Sequence, residues 1–329
     1  MNYNFDLPTD RRGTYSLKWD VAANELPMWV ADMDFETAPE IKEAIQKRAG
    51  HGVFGYTVVP EEWYRAIEDW WQVRHHFHME KEWMIFCTGV VPAISSIVRK
   101  MTTVGEKIVL LTPVYNIFFN SIVNNGRYVL ECPLRYENGE YSIDFCELEA
   151  KLADPQASMM IFCNPHNPVG KIWDRHTMEK IGHLRHKVWR GLNTDEAAEP
   201  NVFAMPAAIA AWRNGAPWLE ELRKYLYENK REAAKFLRTQ IPEVSLVSSE
   251  ATYLLWIDCR RITEKDVELK DFLRRETGLY LCEGSEYGKA GEGFLRMNAA
   301  CPRERLKDGL MRMKRGIEAF VCLPERRIQ

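Results

Sequence analysis

The sequence predicts an α/β protein: a large domain with a mostly parallel sheet covered by helices, followed by a smaller α+β domain. Two observations carry this. Short apolar runs alternate with helical or mixed segments through the middle of the chain, the rhythm of a sheet buried on both faces. The last third opens instead with a long amphipathic helix, then places three strand-like runs before a final helix. With 329 residues there is room for about two domains. The expected division is an N-terminal segment, 1–48, packing with the small domain, a large domain over 49–214 and a small domain over 215–329.

The N-terminal part reads as loop until Pro39, where Ile41, Ala44 and Ile45 mark a short helix ending near Gly50. Pro60 opens a second helix with Trp63, Ile67, Trp70 and Trp71 at helical spacing. Buried strands are expected at Trp83–Thr88, Lys107–Thr112, Tyr128–Cys132 and Ser158–Cys163. A helix over Asp174–Lys187 follows, and another begins at Pro200. The long helix runs from Pro217 to about Ile241, with Leu219, Leu222, Leu226, Ala233 and Leu237 on one face. Strands are then expected at Thr252–Asp258, Leu279–Cys282 and Gly293–Asn298. The final helix carries Leu306, Leu310, Met313, Ile317 and Phe320.

Composition narrows the function. The apolar fraction of 46% excludes a disordered chain or a fibre. A net charge of −3 lacks the basic excess of proteins that live on nucleic acid or anionic membrane. The eight cysteines never approach CxxC spacing, which argues against zinc and against a redox pair. Neither an apolar leader nor a run of 18 apolar residues occurs, so a cytoplasmic, reduced protein is expected.

Four motifs stand out. Thr88–Ser95, TGVVPAIS, is a strand-to-helix turn whose glycine lets backbone N–H groups approach an anion, although ordinary turns share that feature. Asn164–Gly170, NPHNPVG, has two Asn-Pro steps at the carboxyl end of a strand, where open sheets bind ligands. Tyr115, in TPVYNIFF, is either a core residue among Phe118 and Phe119 or an aromatic face for a planar ligand. Arg296 sits in the apolar run GFLRMNAACP and needs a buried carboxylate or an anionic substrate. The RHHFH run at Arg74–His78 is expected to face solvent rather than bind a metal.

Together these words resemble the fold-type I pyridoxal-phosphate (PLP) enzymes of aminotransferase class I/II, and within them the cystathionine β-lyase and cystalysin-like C–S lyases. Further words carrying the resemblance are SLKWD (Ser16–Asp20), PMWVADMDF (Pro27–Phe35), FGYT (Phe54–Thr57), EPNVFA (Glu199–Ala204) and SEATYLLWID (Ser249–Asp258). The resemblance implies the PLP-transferase fold type I. It implies that Gly89, Val90 and Val91 cradle the PLP phosphate, that Tyr115 stacks on the ring and that Asn167 donates to its phenolic oxygen. Tyr56 would reach the phosphate of a neighbouring subunit in a homodimer with shared sites. Arg296, with the Val30–Ala31 loop close by, would grip the carboxylate of a small amino-acid substrate. The implied reaction is α,β-elimination of cystathionine or cysteine-like substrates to pyruvate, ammonia and a thiol. An aminotransferase on the same fold, or a non-catalytic binding protein, are the alternatives.

One part of the pattern is missing. The helix ending near Lys187 should return to a buried strand, but Val188–Glu199 reads VWRGLNTDEAAE. The family's SDEIH-like word, with the aspartate for the pyridine nitrogen, and its SKTFN-like word, with the Schiff-base lysine, do not occur. Lys171 and Asp195 do not replace them, because their settings differ. Either a segment of roughly 65 residues, sized from typical βα units, is deleted near Lys187–Val188, or the protein carries it and the sequence omits it. Intact mass spectrometry separates the two. A mass of 38.4 kDa makes the deletion real; a mass roughly 7 kDa higher restores the segment.

Overall fold

The order of elements follows the hydrophobic pattern closely. The computed structural model describes residues 3–181 and 200–323. Strand β1 (Leu26–Pro27) precedes helices α1 (Pro39–Gly50), α2 (Glu61–His75) and α3 (Val90–Met101). Then come β2 (Lys107–Thr112), α4 (Ile117–Val123), β3 (Tyr128–Pro133) and a hairpin of β4 (Arg135–Glu137) and β5 (Glu140–Ser142). Helix α5 (Phe145–Leu152), β6 (Ala157–Ile161) and α6 (Arg175–Ile181) complete the first stretch. The second holds α7 (Ala204–Asn214), α8 (Ala216–Gln240), β7 (Ser245–Leu246), β8 (Leu254–Asp258) and α9 (Asp266–Thr277). It ends with β9 (Leu279–Tyr280), β10 (Cys282–Glu283), β11 (Phe294–Asn298) and α10 (Arg303–Val321).

Strand β2 is the axis of a parallel sheet ordered β3-β2-β6. Its period of two divides its neighbours. Ile108 and Leu110 pack with Val98, Phe118 and Ile122 from α3 and α4. Val109 and Leu111 face the other way, into a cluster that includes Leu148, Trp256, Tyr287 and Phe294. That second cluster joins the parallel sheet to the antiparallel sheet β10-β11-β8-β7. Helices α8, α9 and α10 bury Leu237, Leu273, Leu310 and Ile317 against this second sheet.

The N-terminal segment is tied to the same end of the molecule. β1 pairs in parallel with β9, and Met28 O accepts a hydrogen bond from Asn298 N at 2.8 Å. Asp34, buried at 1% exposure, accepts from Lys18 Nζ (3.1 Å), Trp19 Nε1 (2.8 Å) and Arg11 Nη1 (2.9 Å). Arg305 Nη1 of α10 lies 3.1 Å from it. Burial works against this carboxylate's charge, but Lys18, Trp19 and Arg305 outweigh it and hold its pKa below the ordinary value.

Three expected elements differ. Trp83–Thr88 forms no strand; a 3-10 turn at Lys81–Trp83 leads into extended chain. A ladder needs the N–H and C=O groups of a strand alongside, and none of the described strands pairs with this run. The run Leu279–Cys282 breaks at Leu281, because β9 pairs with β1 while β10 pairs with β11. The helix expected from Pro200 begins at Ala204, since the Asn201 side chain accepts from Phe203 N and Ala204 N at 3.0 Å. The Lys187–Val188 junction and Asp195 lie outside the described residues.

Breaking the Asp34 cluster leaves Lys18 buried without its anion. Asp34→Asn is expected to lower unfolding free energy by about 3–5 kcal/mol, measured by urea titration. A loss below about 1 kcal/mol, the range of an exposed pair, would show that the network does not anchor the N-terminal segment.

Candidate functional site

Parallel strands β2 and β6 end on the same edge of their sheet, so the loops that follow them lie side by side. His166, fully buried, links them: its Nε2 bonds to Pro113 O at 2.9 Å. Its ring meets Trp173 edge-on, with centroids 5.6 Å apart, and Trp173 Nε1 donates to Cys163 O at 3.1 Å. Burial pushes the imidazole down to about 4, so it stays neutral and keeps one tautomer. Gly170 closes the NPHNPVG loop at φ +70, and a Cβ there would stand 2.5 Å from Ser249 Cβ. Only glycine satisfies both demands.

This link brings two of the sequence-predicted residues together. Tyr115 follows Pro113 by two positions and is half-buried, its ring edge-on to Phe118 at 5.5 Å. Asn167 follows His166, and its Oδ1 is buried with no hydrogen-bond partner. The second sheet docks on the same loop: Val114 N donates to Tyr287 O at 2.9 Å, and Asn116 bonds to Glu286.

Arg296, from the centre of β11, is 5% exposed. Its Nη2 donates to Trp29 O at 2.7 Å and lies 3.6 Å from Cys282 Sγ, with the guanidinium 4.9 Å above the Tyr287 ring. Nε has no partner, and no carboxylate of the described residues forms an ion pair with it. The internal salt bridge left open by the sequence is therefore not present among the described residues. Val30 and Ala31 adjoin Arg296 through the Trp29 carbonyl.

The remaining predicted residues are more open. Gly89 is extended and precedes α3, whose first-turn residues include Val90 (69% exposed) and the half-buried Val91. Tyr56 lies fully exposed in the stretch 51–56, so a single chain does not bring it into the cleft. Lys171 pairs with Glu250 at 3.4 Å and does not serve the site. His75, His76 and His78 are exposed, and no metal-binding cluster occurs among the described residues. The sequence reading missed His166, for which a histidine framed by two Asn-Pro steps was the one available signal.

The donor set fits PLP at three points. Free N–H groups at the start of α3 suit a phosphate, the Tyr115 ring suits a planar heterocycle, and the unpartnered Asn167 amide can turn its NH2 toward a phenolic oxygen. The unpartnered Arg296 Nε suits a substrate carboxylate.

A parallel sheet joined through a shared core to an antiparallel one, with these loops at the junction, is the architecture of the fold-type I PLP enzymes. The chain belongs to the Aminotransferase class I and II family, which it matches over residues 24–197 and 202–313. It is 35% identical to cystathionine beta-lyase PatB of Bacillus subtilis over 382 aligned positions, spanning 94% of this chain and 99% of the relative. It is 30% identical to protein MalY of Escherichia coli over 96% of this chain and 99% of that one. Among solved structures, a PLP-bound protein from Clostridium difficile superposes with a TM-score of 0.90 at 30% identity, covering 96% of this chain and 100% of that one. Cystalysin from Treponema denticola, which contains PLP, gives 0.86 at 26%, covering 97% and 100%. The Bacillus alignment is longer than the 329 residues of this chain, and the family match breaks between 197 and 202. These relatives therefore carry an internal stretch that this sequence lacks.

The depressed imidazole sets a pH dependence. Between pH 6.5 and about 4 the unfolded chain binds a proton at His166 that the folded chain refuses, so stability falls as pH drops through that window. The effect approaches about 3 kcal/mol. His166→Gln, which cannot titrate, should show a flatter urea-unfolding profile from pH 7 to 4, and an unchanged slope would contradict the assignment.

Proposed function

We propose that this protein is a PLP-dependent C–S β-lyase that cleaves cystathionine or cysteine-like amino acids to pyruvate, ammonia and a thiol. The observation that carries it is the buried Arg296 with a free Nε and no ion-paired carboxylate among the described residues, in a chain 35% identical to a cystathionine beta-lyase. When bound, PLP supplies the electron sink that stabilises negative charge on the substrate Cα. The N–H groups of Gly89, Val90 and Val91 would hold its phosphate, Tyr115 would cover its ring and Asn167 would donate to its phenolic oxygen. Arg296 would grip the substrate carboxylate in two parallel hydrogen bonds, beside the Val30–Ala31 loop. Exposed Val53, Phe54, Tyr56 and Val58 form an apolar stretch that a second copy of the chain would cover, placing Tyr56 at the partner's phosphate.

The described residues account for binding and orientation. The lysine that the resemblance assigns to the Cα proton belongs to the stretch this sequence lacks, and that favours one other reading: a binding protein that holds cofactor and amino acid without turnover.

An assay of the purified protein with L-cystathionine and PLP separates these. Pyruvate, ammonia and homocysteine support the lyase; a keto acid with amino-group transfer supports an aminotransferase; bound PLP without product supports the binding protein. In the active form, Arg296→Lys should keep the fold and PLP but lose kcat/KM roughly ten- to 150-fold. An unchanged kcat/KM would remove Arg296 from the site.

A further inference from the structure

The turn that carries Tyr287 also carries a carboxylate that no cation of the described residues answers. Gly284–Tyr287 is a 3-10 turn between β10 and β11, and its backbone is tightly held. Buried Asp266 accepts from Ser285 N at 2.7 Å and from Gly293 N at 3.3 Å, and Tyr287 O accepts from Val114 N at 2.9 Å. A Cβ on Gly284 would stand 2.1 Å from Gly291 O, so the turn has no room to shift. Glu286 Oε1 accepts a hydrogen bond from Asn116 Nδ2, the neighbour of Tyr115 in the chain. On its other side Glu286 is followed by Tyr287, whose ring lies 4.9 Å from the Arg296 guanidinium. Lys270 is engaged by Asp271 (3.1 Å) and Glu283 (3.3 Å), and forms no ion pair with Glu286. The Glu286 side chain remains open to solvent. Partial desolvation and Glu283 raise its pKa above the ordinary carboxylate value, against the pull of Arg296 and the Asn116 hydrogen bond.

We infer that Glu286 is a specificity-determining residue: it takes a second, distal ammonium group of the substrate, so the site prefers cystathionine over cysteine. The inference rests on the proposed reading of the site as a PLP-dependent lyase. In that reading the α-carboxylate goes to Arg296 and the α-amine to the cofactor, so neither is left for Glu286. A negative group near the arginine weakens the hold on a carboxylate unless the ligand brings a cation to meet it. Cystathionine carries such a cation on its leaving half, and cysteine does not. Fixed backbone and the Asn116 bond limit the ordering that Glu286 undergoes when the cation arrives. A glutamate needed only to tie Asn116 could be replaced by glutamine, whose amide oxygen accepts the same hydrogen bond.

Equilibrium binding tests this without turnover. The carba analogue of L-cystathionine, with a methylene in place of sulfur, has no leaving group, and a companion ligand lacks only its distal amine. Dissociation constants for both are measured on the PLP-loaded protein and on its Glu286→Gln and Arg296→Lys variants. Glu286→Gln should weaken the diamino ligand roughly fivefold, the scale of a solvent-exposed ion pair, and more at low salt than at high. It should change the monoamino ligand less than twofold. Equal changes for the two ligands, or none for either, while Arg296→Lys weakens both, would overturn this inference alone. Unchanged binding of both ligands in Arg296→Lys, or no binding of either to the unsubstituted protein, would overturn the reading of the site as well.

Discussion

A buried guanidinium with no ion-paired carboxylate among the described residues is the constraint on which this structure turns. Arg296 sits mid-strand in β11, where an unbalanced charge is expensive, and its only oxygen partner among the described residues is the Trp29 carbonyl. A protein that needed Arg296 only for stability would pair it with an acid. Here the N-terminal loop is brought to it, and that placement depends on β1 joining β9 and on the Asp34 cluster holding Arg11, Lys18 and Arg305 together. The placement of the N-terminal loop and the partner that Arg296 finds in Trp29 O thus have one cause.

The other half of the cleft rests on a neutral interaction. His166 joins the loops after β2 and β6 and stays uncharged because it is buried. Tyr115 lies two positions beyond the joined Pro113, and Asn167 one beyond His166. Their spacing is set by the sheet, since adjacent parallel strands lie about 4.8 Å apart. Docking of Val114 N on Tyr287 O then brings Arg296 to the same cleft, because Tyr287 also lies under the guanidinium.

The missing stretch has a visible structural counterpart. The parallel sheet has three strands, and the outer edge of β6 is unpaired among the described residues, although Met159, Met160 and Ile161 are only partly buried. A parallel sheet is normally covered on both faces and extended by further βα units. The interruption of the family match at 197–202 falls on the chain between α6 and α7, where such units would enter.

Much of this was legible in the sequence. The helices α2, α8 and α10 and the strands β2, β3 and β11 follow from apolar spacing, because the burial that fixes each is periodic along its own residues. Arg296 and NPHNPVG stand out because a charge in an apolar strand and paired Asn-Pro steps violate local rules, and Tyr115 because it follows the carboxyl end of a strand. The sequence could not decide whether Arg296 faces an internal carboxylate, since that depends on partners more than 250 positions away in the chain, such as Trp29. Nor could it show that Asn298 and Tyr253 grip the loop at 29–32, because long-range side-chain-to-carbonyl bonds leave no periodic trace. The strand expected at Trp83–Thr88 failed for the same reason: a strand is a property of its neighbours, and only the tertiary arrangement decides which edges are open.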